Sequence, residues 1–488
     1  MSWTPAKNGA QAQWDCFVND LTEIILTTIN AKWIHPSLAL RLLKANLGSL
    51  EDSCEIIEFA LRQPLAEKIQ PLLDASPRIL GVSVSIWNHT AAIELLEELN
   101  KRWSSHVSVK PAVVLGGPEV SHLPQNAGIF KYADYVIRGE GETAFRTLCE
   151  NILVEKESVL SRFIDADNVD VSRIKSAYHL YTEEDIAKKL IYVEASRGCP
   201  FKCEFCLSAK DSSVREFPLD VFLSDMDILI SRGVKTFKYL DRSFNVNIKR
   251  AIKIIEFFLY KIEKFSLSSA PFTVHFEMVP SLFPPELLRT LSRFPLGTLR
   301  LEIGIQTLNK NAASLIGRAS DPEKELESLR LLAEETNAII HADLIAGLPG
   351  EDIVSFGSGF DRLWAALYSG KQQFLKQQVE IQLGMLKLLP GTPVSRHREK
   401  FGMRYNSSPP YEIEETSTMS GSDLARLRNF SRFWEIIVNR GLVFSSDFSK
   451  NGTIFCNFLE LSDTLFAYFG RNWGIDRGEL LAFLRIRG

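Results

Sequence analysis

Short apolar runs alternate with amphipathic stretches along most of this chain, and that alternation restricts the fold more than any other feature. "EIILTT", "CEIIEFA", "ILGVSVS", "AVVLGG" and "DYVIRG" read as strands, and "AAIELLEELNKRW" lies between the third and fourth. In that stretch Ala92, Leu95, Leu96, Leu99 and Trp103 share one face at helical spacing. Strands joined through helices pair in parallel, and the helices cover both faces of the sheet. The expected fold class is therefore α/β, beginning with a doubly wound, Rossmann-like parallel sheet over residues 21–164.

A second series opens at "KLIYVEAS" and continues through "TFKYLD", "FTVHFEM", "TLRLEIG", "IIHADLIAG" and "VEIQLG". Strand and helix units in this succession predict a partial (β/α)6 barrel of TIM type over residues 187–390. A polar linker at 165–186 precedes it. The turn-rich "NSSPPYEIEETSTMSGSD" marks a further boundary, and residues 391–488 read as a mainly helical C-terminal domain with Trp434 and Trp473 in its core. The polar residues 1–20 are expected to be disordered. A length of 488 residues accommodates this division on a prior of about 150 residues per domain.

Composition narrows the function classes. The formal net charge is -4 and no block of like charges stands out, so a nucleic-acid partner is not expected. Seven cysteines are too few, and odd in number, for a secreted disulfide framework. No apolar run approaches the ~18 residues that span a bilayer, and the start carries neither a signal-peptide nor a myristoylation pattern. A cytoplasmic protein with no membrane partner is expected.

Three of the cysteines stand together in "ASRGCPFKCEFCL". The spacing C-x3-C-x2-C lets Cys199, Cys203 and Cys206 reach three corners of one small inorganic cluster from a single loop. Zinc would normally take a fourth protein ligand, and none lies nearby in sequence. Disulfide pairing would leave one thiol over, and the polar interval of Pro200, Lys202 and Glu204 argues against a purely structural core role. The scattered Cys16, Cys54, Cys149 and Cys456 give no sign of a second cluster.

The stretch "CPFKCEFC" resembles the C-x3-C-x-Φ-C signature of the radical S-adenosylmethionine (radical SAM) enzymes, with Phe205 as Φ. The resemblance implies a 4Fe-4S cluster held by Cys199, Cys203 and Cys206, whose remaining iron is chelated by the methionyl group of S-adenosylmethionine. It also implies reductive release of a deoxyadenosyl radical, with Phe205 near the adenine. "KYLDRSFN" departs from the Gly-Gly-Glu strand end of many relatives, which makes Asp241 the candidate contact for the methionyl amine. "HFEMVP", "LEIGIQTLN" and "DLIAGLPGED" resemble the later strand ends, and barrel physics too puts Glu277, Glu302 and Gln306 at the open rim.

Ligands of a doubly wound sheet sit beyond the carboxyl ends of its strands, which directs attention to "NAKWIHPSLA", "SIWNHTA", "GGPEVS" and "RGEGET". Neither a dinucleotide fingerprint nor a P-loop follows any strand. These loops are similar to those of the cobalamin-binding domain fused ahead of the barrel in one radical SAM subgroup. The resemblance implies cobalamin contacts at Asn30, Lys32, Ser85, Trp87, Asn88, Gly116, Gly117, Glu119, Gly139, Glu140, Gly141 and Glu142. The D-x-H-x-x-G motif of cobalamin mutases is absent, so base-off cobalamin without a histidine ligand is expected, with His35 and His89 as hydrogen-bonding residues.

The function implied is methylation of an unactivated carbon on a small-molecule substrate, with electrons from a flavodoxin or ferredoxin. The alternative keeps both cofactors but uses cobalamin for redox, cyclisation or rearrangement chemistry. Methylthiolation of transfer RNA would require a second cluster and a basic face, and a non-catalytic sensor would need no S-adenosylmethionine pocket.

Overall fold

The computed structural model describes residues 22–106, 110–155, 161–265, 272–368, 379–442 and 453–487. The disorder expected for residues 1–20, and Cys16 with it, lies outside the described residues.

The first sheet begins with β1 (Ile24–Asn30), whose seven residues are all buried. It continues through α1 (Leu38–Ala45), β2 (Cys54–Ala60), α2 (Leu65–Ala75), β3 (Ile79–Ser83), α3 (His89–His106), β4 (Ala112–Gly116), β5 (Tyr135–Arg138), α4 (Gly141–Glu150) and β6 (Phe163–Asp165). All strands run parallel in the order β2-β1-β3-β4-β5-β6. The chain thus winds outward in both directions from β1, as expected for a doubly wound sheet. Two apolar clusters result, one joining the sheet to α2 and α3, the other joining it to α1 and α4. Ala92, Leu95, Leu96, Leu99 and Trp103 form the buried face of α3. β6 was not expected: three residues are too short to carry a periodic signal.

The segment read as a linker is packed rather than loose. It contains α5 (Glu183–Lys188), opened by a Thr182 capping box, and its Tyr178 and Tyr181 are buried. Arg41 of α1 lies 2.7 Å from Asp185 and 2.8 Å from Glu58, with all three side chains at most 10% exposed. Removing such charges from water is tolerable only when they pair, so this contact fixes α1 and β2 of the first sheet against α5.

The second sheet is built by β7 (Ile191–Val193), a hairpin of β8 (Ser196–Arg197) and β9 (Arg215–Glu216), α6 (Leu219–Ser231), β10 (Thr236–Tyr239), α7 (Ile248–Phe265), β11 (Thr273–Met278), α8 (Pro285–Leu291), β12 (Leu299–Gln306), α9 (Lys310–Leu315), α10 (Pro322–Glu335), β13 (Ile339–Ala346), α11 (Ile353–Tyr368) and β14 (Val379–Met385). Its order is β14-β13-β12-β11-β10-β7, all parallel, and the two end strands do not pair. This is the open, partial barrel that the sequence predicts. The β8–β9 hairpin lies outside that sheet and frames the cysteine loop.

Beyond the barrel come the short pair β15 (Arg404–Tyr405) and β16 (Ile413–Glu415), then α12 (Gly421–Trp434), α13 (Ile454–Phe469) and α14 (Arg477–Arg487). Trp434 of α12 stacks on Phe430 and meets Phe360 of α11 edge-on at 4.9 Å, and one apolar cluster runs through barrel and C-terminal helices. Trp473, expected in the core, is instead 69% exposed, because it sits in the turn after α13 and not on a helix face. No helix among the described residues is long and apolar enough to cross a membrane.

Candidate functional site

A cavity of about 360 Å³ opens at the carboxyl edge of the first sheet. Gly116, Gly117, Gly139, Glu140, Gly141 and Glu142 line it, together with Ser83, Ser121, Leu26, Phe145 and, from the barrel side, Glu194 and Arg197. Glycine is required where the backbone turns. Gly117 has φ +102°, and a Cβ there would lie 2.6 Å from the Val84 carbonyl oxygen. Gly81 acts inside the slot, where a Cβ would come within 2.7 Å of Leu26.

The other sequence candidates lie off this lining, and hydrogen bonds explain why. Asn88 is fully buried and builds its own loop, accepting from the Ser85 amide and donating to Thr28 and to the carbonyl of Ile29. Asn30 donates to Glu58. Glu119 accepts from Tyr411 at 2.6 Å and lies 2.8 Å from His89 Nδ1, so it ties the first sheet to the C-terminal segment. His35 bonds the Tyr192 hydroxyl of β7 at 2.8 Å. Lys32 is exposed, Trp87 is 53% exposed, and Trp33 and Ile34 in the loop after β1 are exposed as well.

Glu140 and Glu142 reach the cavity with their carboxylates already engaged. Glu140 makes a two-pronged contact with Arg215 at 2.7 and 2.9 Å and accepts from the Val169 amide. Glu142 lies 2.7 Å from Arg197, which also meets Glu194 at 2.7 Å. These carboxylates hold the barrel's cysteine loop against the sheet. Nothing in the local pattern of "GEGE" announces this, because the arginines arrive from about 55 and 75 residues later in the chain.

A second cavity, of about 260 Å³, contains Cys199, Cys203 and Cys206 with Phe205, Arg242, Glu277, Glu302, Gln306, Arg318 and Asp343. The loop is pinned by its backbone: Cys199 N donates to Asp211 O, Glu204 N to Ile316 O and Val394 N to Glu204 O. The Glu204 carboxylate is held by Arg396 and His397. All the described cysteines are free of disulfides. Among the described residues no group of three metal-ligating side chains converges as a single ion requires. Cys199, Cys203 and Cys206 line one cavity, and three thiols from one loop suit a multi-iron cluster. Burial pushes the Cys203 thiol up while the adjacent Arg318 works in the opposite direction.

Asp241 does not reach this cavity. It is buried, accepting from the Ala195 amide at 2.9 Å and from Ser196 Oγ at 2.6 Å, and burial pushes its carboxyl up to about 7. Its neighbour Arg242 takes the rim position, 3.5 Å from Glu277. Burial raises the Glu277 carboxyl, and contact with His275, then Lys238, brings Glu302 down to about 2. Gln306 adopts φ +67° at a break in register with β13, a strained backbone that aims its side chain at the rim. Arg318 and Asp343 were not singled out: Arg318 belongs to no quoted motif, and the strand end "DLIAGLPGED" gives no hint that its first aspartate lines the cysteine cavity.

The cavities adjoin. Arg197 lines the first and Cys199 the second, and two residues span at most about 7 Å.

Comparison with known proteins bears on both cavities. Residues 24–149 match the B12 binding domain model and residues 193–358 match the radical SAM superfamily model. The cobalamin-dependent radical SAM methyltransferase TokK of Streptomyces tokunonensis is 22% identical over 383 residues, covering 70% of this chain and 52% of that protein. The chain therefore spans about half the length of that curated relative. The structure of the cobalamin-dependent S-adenosylmethionine radical enzyme OxsB aligns with a TM-score of 0.65 at 17% identity, covering 96% of this chain and 75% of the other. That of the radical S-adenosylmethionine methyltransferase TsrM from Kitasatospora setae aligns at 0.58 and 18%, covering 79% of each. At these identities the structural likeness establishes the fold.

Proposed function

We propose, from the premise that the chain belongs to the radical SAM superfamily and carries a B12-binding domain ahead of its barrel, that it methylates an unactivated carbon of a small molecule. One observation carries the reading: the glycine-lined sheet cavity and the three-cysteine cavity are lined by residues only two apart in the chain, Arg197 on the first and Cys199 on the second.

Cys199, Cys203 and Cys206 would hold three irons, with Phe205 beside the adenine and Glu277 and Gln306 at the rim. Arg242, on the cavity where Asp241 is not, is the better candidate for orienting the methionyl group. The cavity lined by Gly81, Gly117 and Phe145 would receive part of the cobalamin. His35 and His89 are engaged by Tyr192 and Glu119, which supports cobalt binding without a histidine. Bound together, these cofactors supply the radical and the methyl group; this chain holds them close, orients them and keeps water away.

A small soluble electron donor such as flavodoxin or ferredoxin and a cytoplasmic setting complete the proposal. The free cysteines fit a reducing compartment. The test uses protein reconstituted without oxygen, given S-adenosylmethionine labelled at the methyl group and a broad small-molecule panel. Label in a carbon-bound methyl of a product supports the reading. Deoxyadenosine without any methylated product across the panel contradicts it.

A further inference from the structure

Glu204 stands between two of the cysteines, and it is buried although Pro200 and Lys202 of the same loop are exposed. Cys206 N donates to Cys203 O at 3.0 Å, so residues 203–206 form one tight turn with Glu204 and Phe205 at its corners. Both ends of that turn are cysteines of the cavity, and its corners decide where their sulfurs lie.

Every hydrogen-bonding group of Glu204 is engaged from outside the loop. Its amide donates to Ile316 O at 2.9 Å, and its carbonyl accepts from Val394 N at 3.0 Å. Its carboxylate accepts from Arg396 and lies 3.0 Å from His397 Nε2, while the side chains of Glu204 and His397 are only 10% and 8% exposed. Gly317 approaches the loop as closely: a Cβ there would lie 2.9 Å from Lys202 O. A carboxylate removed from water is tolerated only where its partners hold it. The turn is therefore placed by the end of α9 and by a short helical turn, Pro393–His397, that follows β14. That second support is itself anchored, since Val394 is fully buried. It also lies beyond residues 193–358, the part of the chain that matches the radical SAM superfamily model.

We propose that Glu204 is a positioning residue of the cluster site and that Pro393–His397 is the brace through which it acts, so that retention of the cluster depends on a segment beyond the barrel strands. Partners that orient metal ligands from behind are worth about 10–100-fold in metal affinity. Here the support grips a residue between two ligands, and it acts on Cys203, Phe205 and Cys206 together. The inference rests on the function proposed above in taking an iron-sulfur cluster as the occupant of the three-cysteine cavity.

The test is the rate at which EDTA removes iron from the anoxically reconstituted full chain, read beside the electron paramagnetic resonance spectrum of the reduced cluster. Glu204→Leu and His397→Leu are each expected to release iron at least about tenfold faster and to shift the spectrum. The double variant should be no more than about twofold faster than the faster single variant, because both changes remove one support. Arg41→Leu is the control: it breaks a buried ion pair between α1 and α5 and should keep the parent's release rate and spectrum. Parent-like release in Glu204→Leu, effects that multiply in the double variant, or equal acceleration in Arg41→Leu overturns the brace. If the leucine variants do not fold, Arg396 decides, because its side chain is 65% exposed. Arg396→Met should then speed release and Arg396→Lys, which keeps a donor, should not; equal behaviour of the two overturns the proposal. A parent that takes up no iron contradicts the function instead. Hydrogen exchange of residues 199–206 in the cofactor-free chain then decides the brace: faster exchange in His397→Leu upholds it, and parent-like exchange overturns it.

Discussion

Arg197 shows how one side chain determines the geometry of this molecule. Its guanidinium, 13% exposed, meets Glu142 of α4 and Glu194 of the barrel two residues before Cys199. Arg197→Leu would strand two carboxylates in a buried site, and breaking a buried pair in this way costs about 3–5 kcal/mol. Denaturant unfolding should register that loss, with weaker retention of both cofactors. Gly117→Ala places a Cβ against the Val84 carbonyl at φ +102°. Strain of that kind costs about 1–3 kcal/mol, and the same titration should show it together with reduced corrin uptake.

At the scale of elements, the inner strand faces make stability depend on pH. His341 has a folded pKa near 4 against an ordinary value of 6.5. Between those values the unfolded chain binds the extra proton, so stability falls as pH drops from about 6.5 towards 4. His341→Gln should flatten the stability profile across that window, recovering on the order of 2–3 kcal/mol at its acid end. Asp343 behaves in the opposite sense: its folded pKa near 8 means that stability falls as pH rises from about 4 to 8, and Asp343→Asn should remove that slope.

The same physics decides which elements were legible. β12 and the helix face of α3 could be read because burial imposes a period on several successive residues. β6 and the β8–β9 hairpin could not, since two or three residues have no period and owe their conformation to neighbours. Gly117 and Gly139 of the sheet cavity were legible as glycines because their positive φ and close backbone approach suit no other residue type. Asn30, Asn88, Glu119 and Asp241 were assigned to ligands through the resemblance, and in the structure each also makes hydrogen bonds within the fold. The distant partners among them lie 28 to 292 residues away and leave no local trace.

Over the whole molecule, barrel and C-terminal helices share one core through Phe360, Phe430, Trp434 and Phe458. Trp434→Ala should cost about 3–5 kcal/mol, and barrel and tail should lose structure in the same transition when followed by circular dichroism and by aromatic fluorescence. Tyr411 reaches from that tail to Glu119 of the first sheet, so three parts of the chain close around the adjoining cavities. The most direct test of two adjoining cofactor sites is the count of iron and corrin per chain, after anoxic reconstitution, in the parent protein and in Cys203→Ser. The account predicts about four irons and one corrin in the parent, with iron lost and corrin kept in the variant. A parent that takes up neither, or a variant that keeps its full iron, would contradict it.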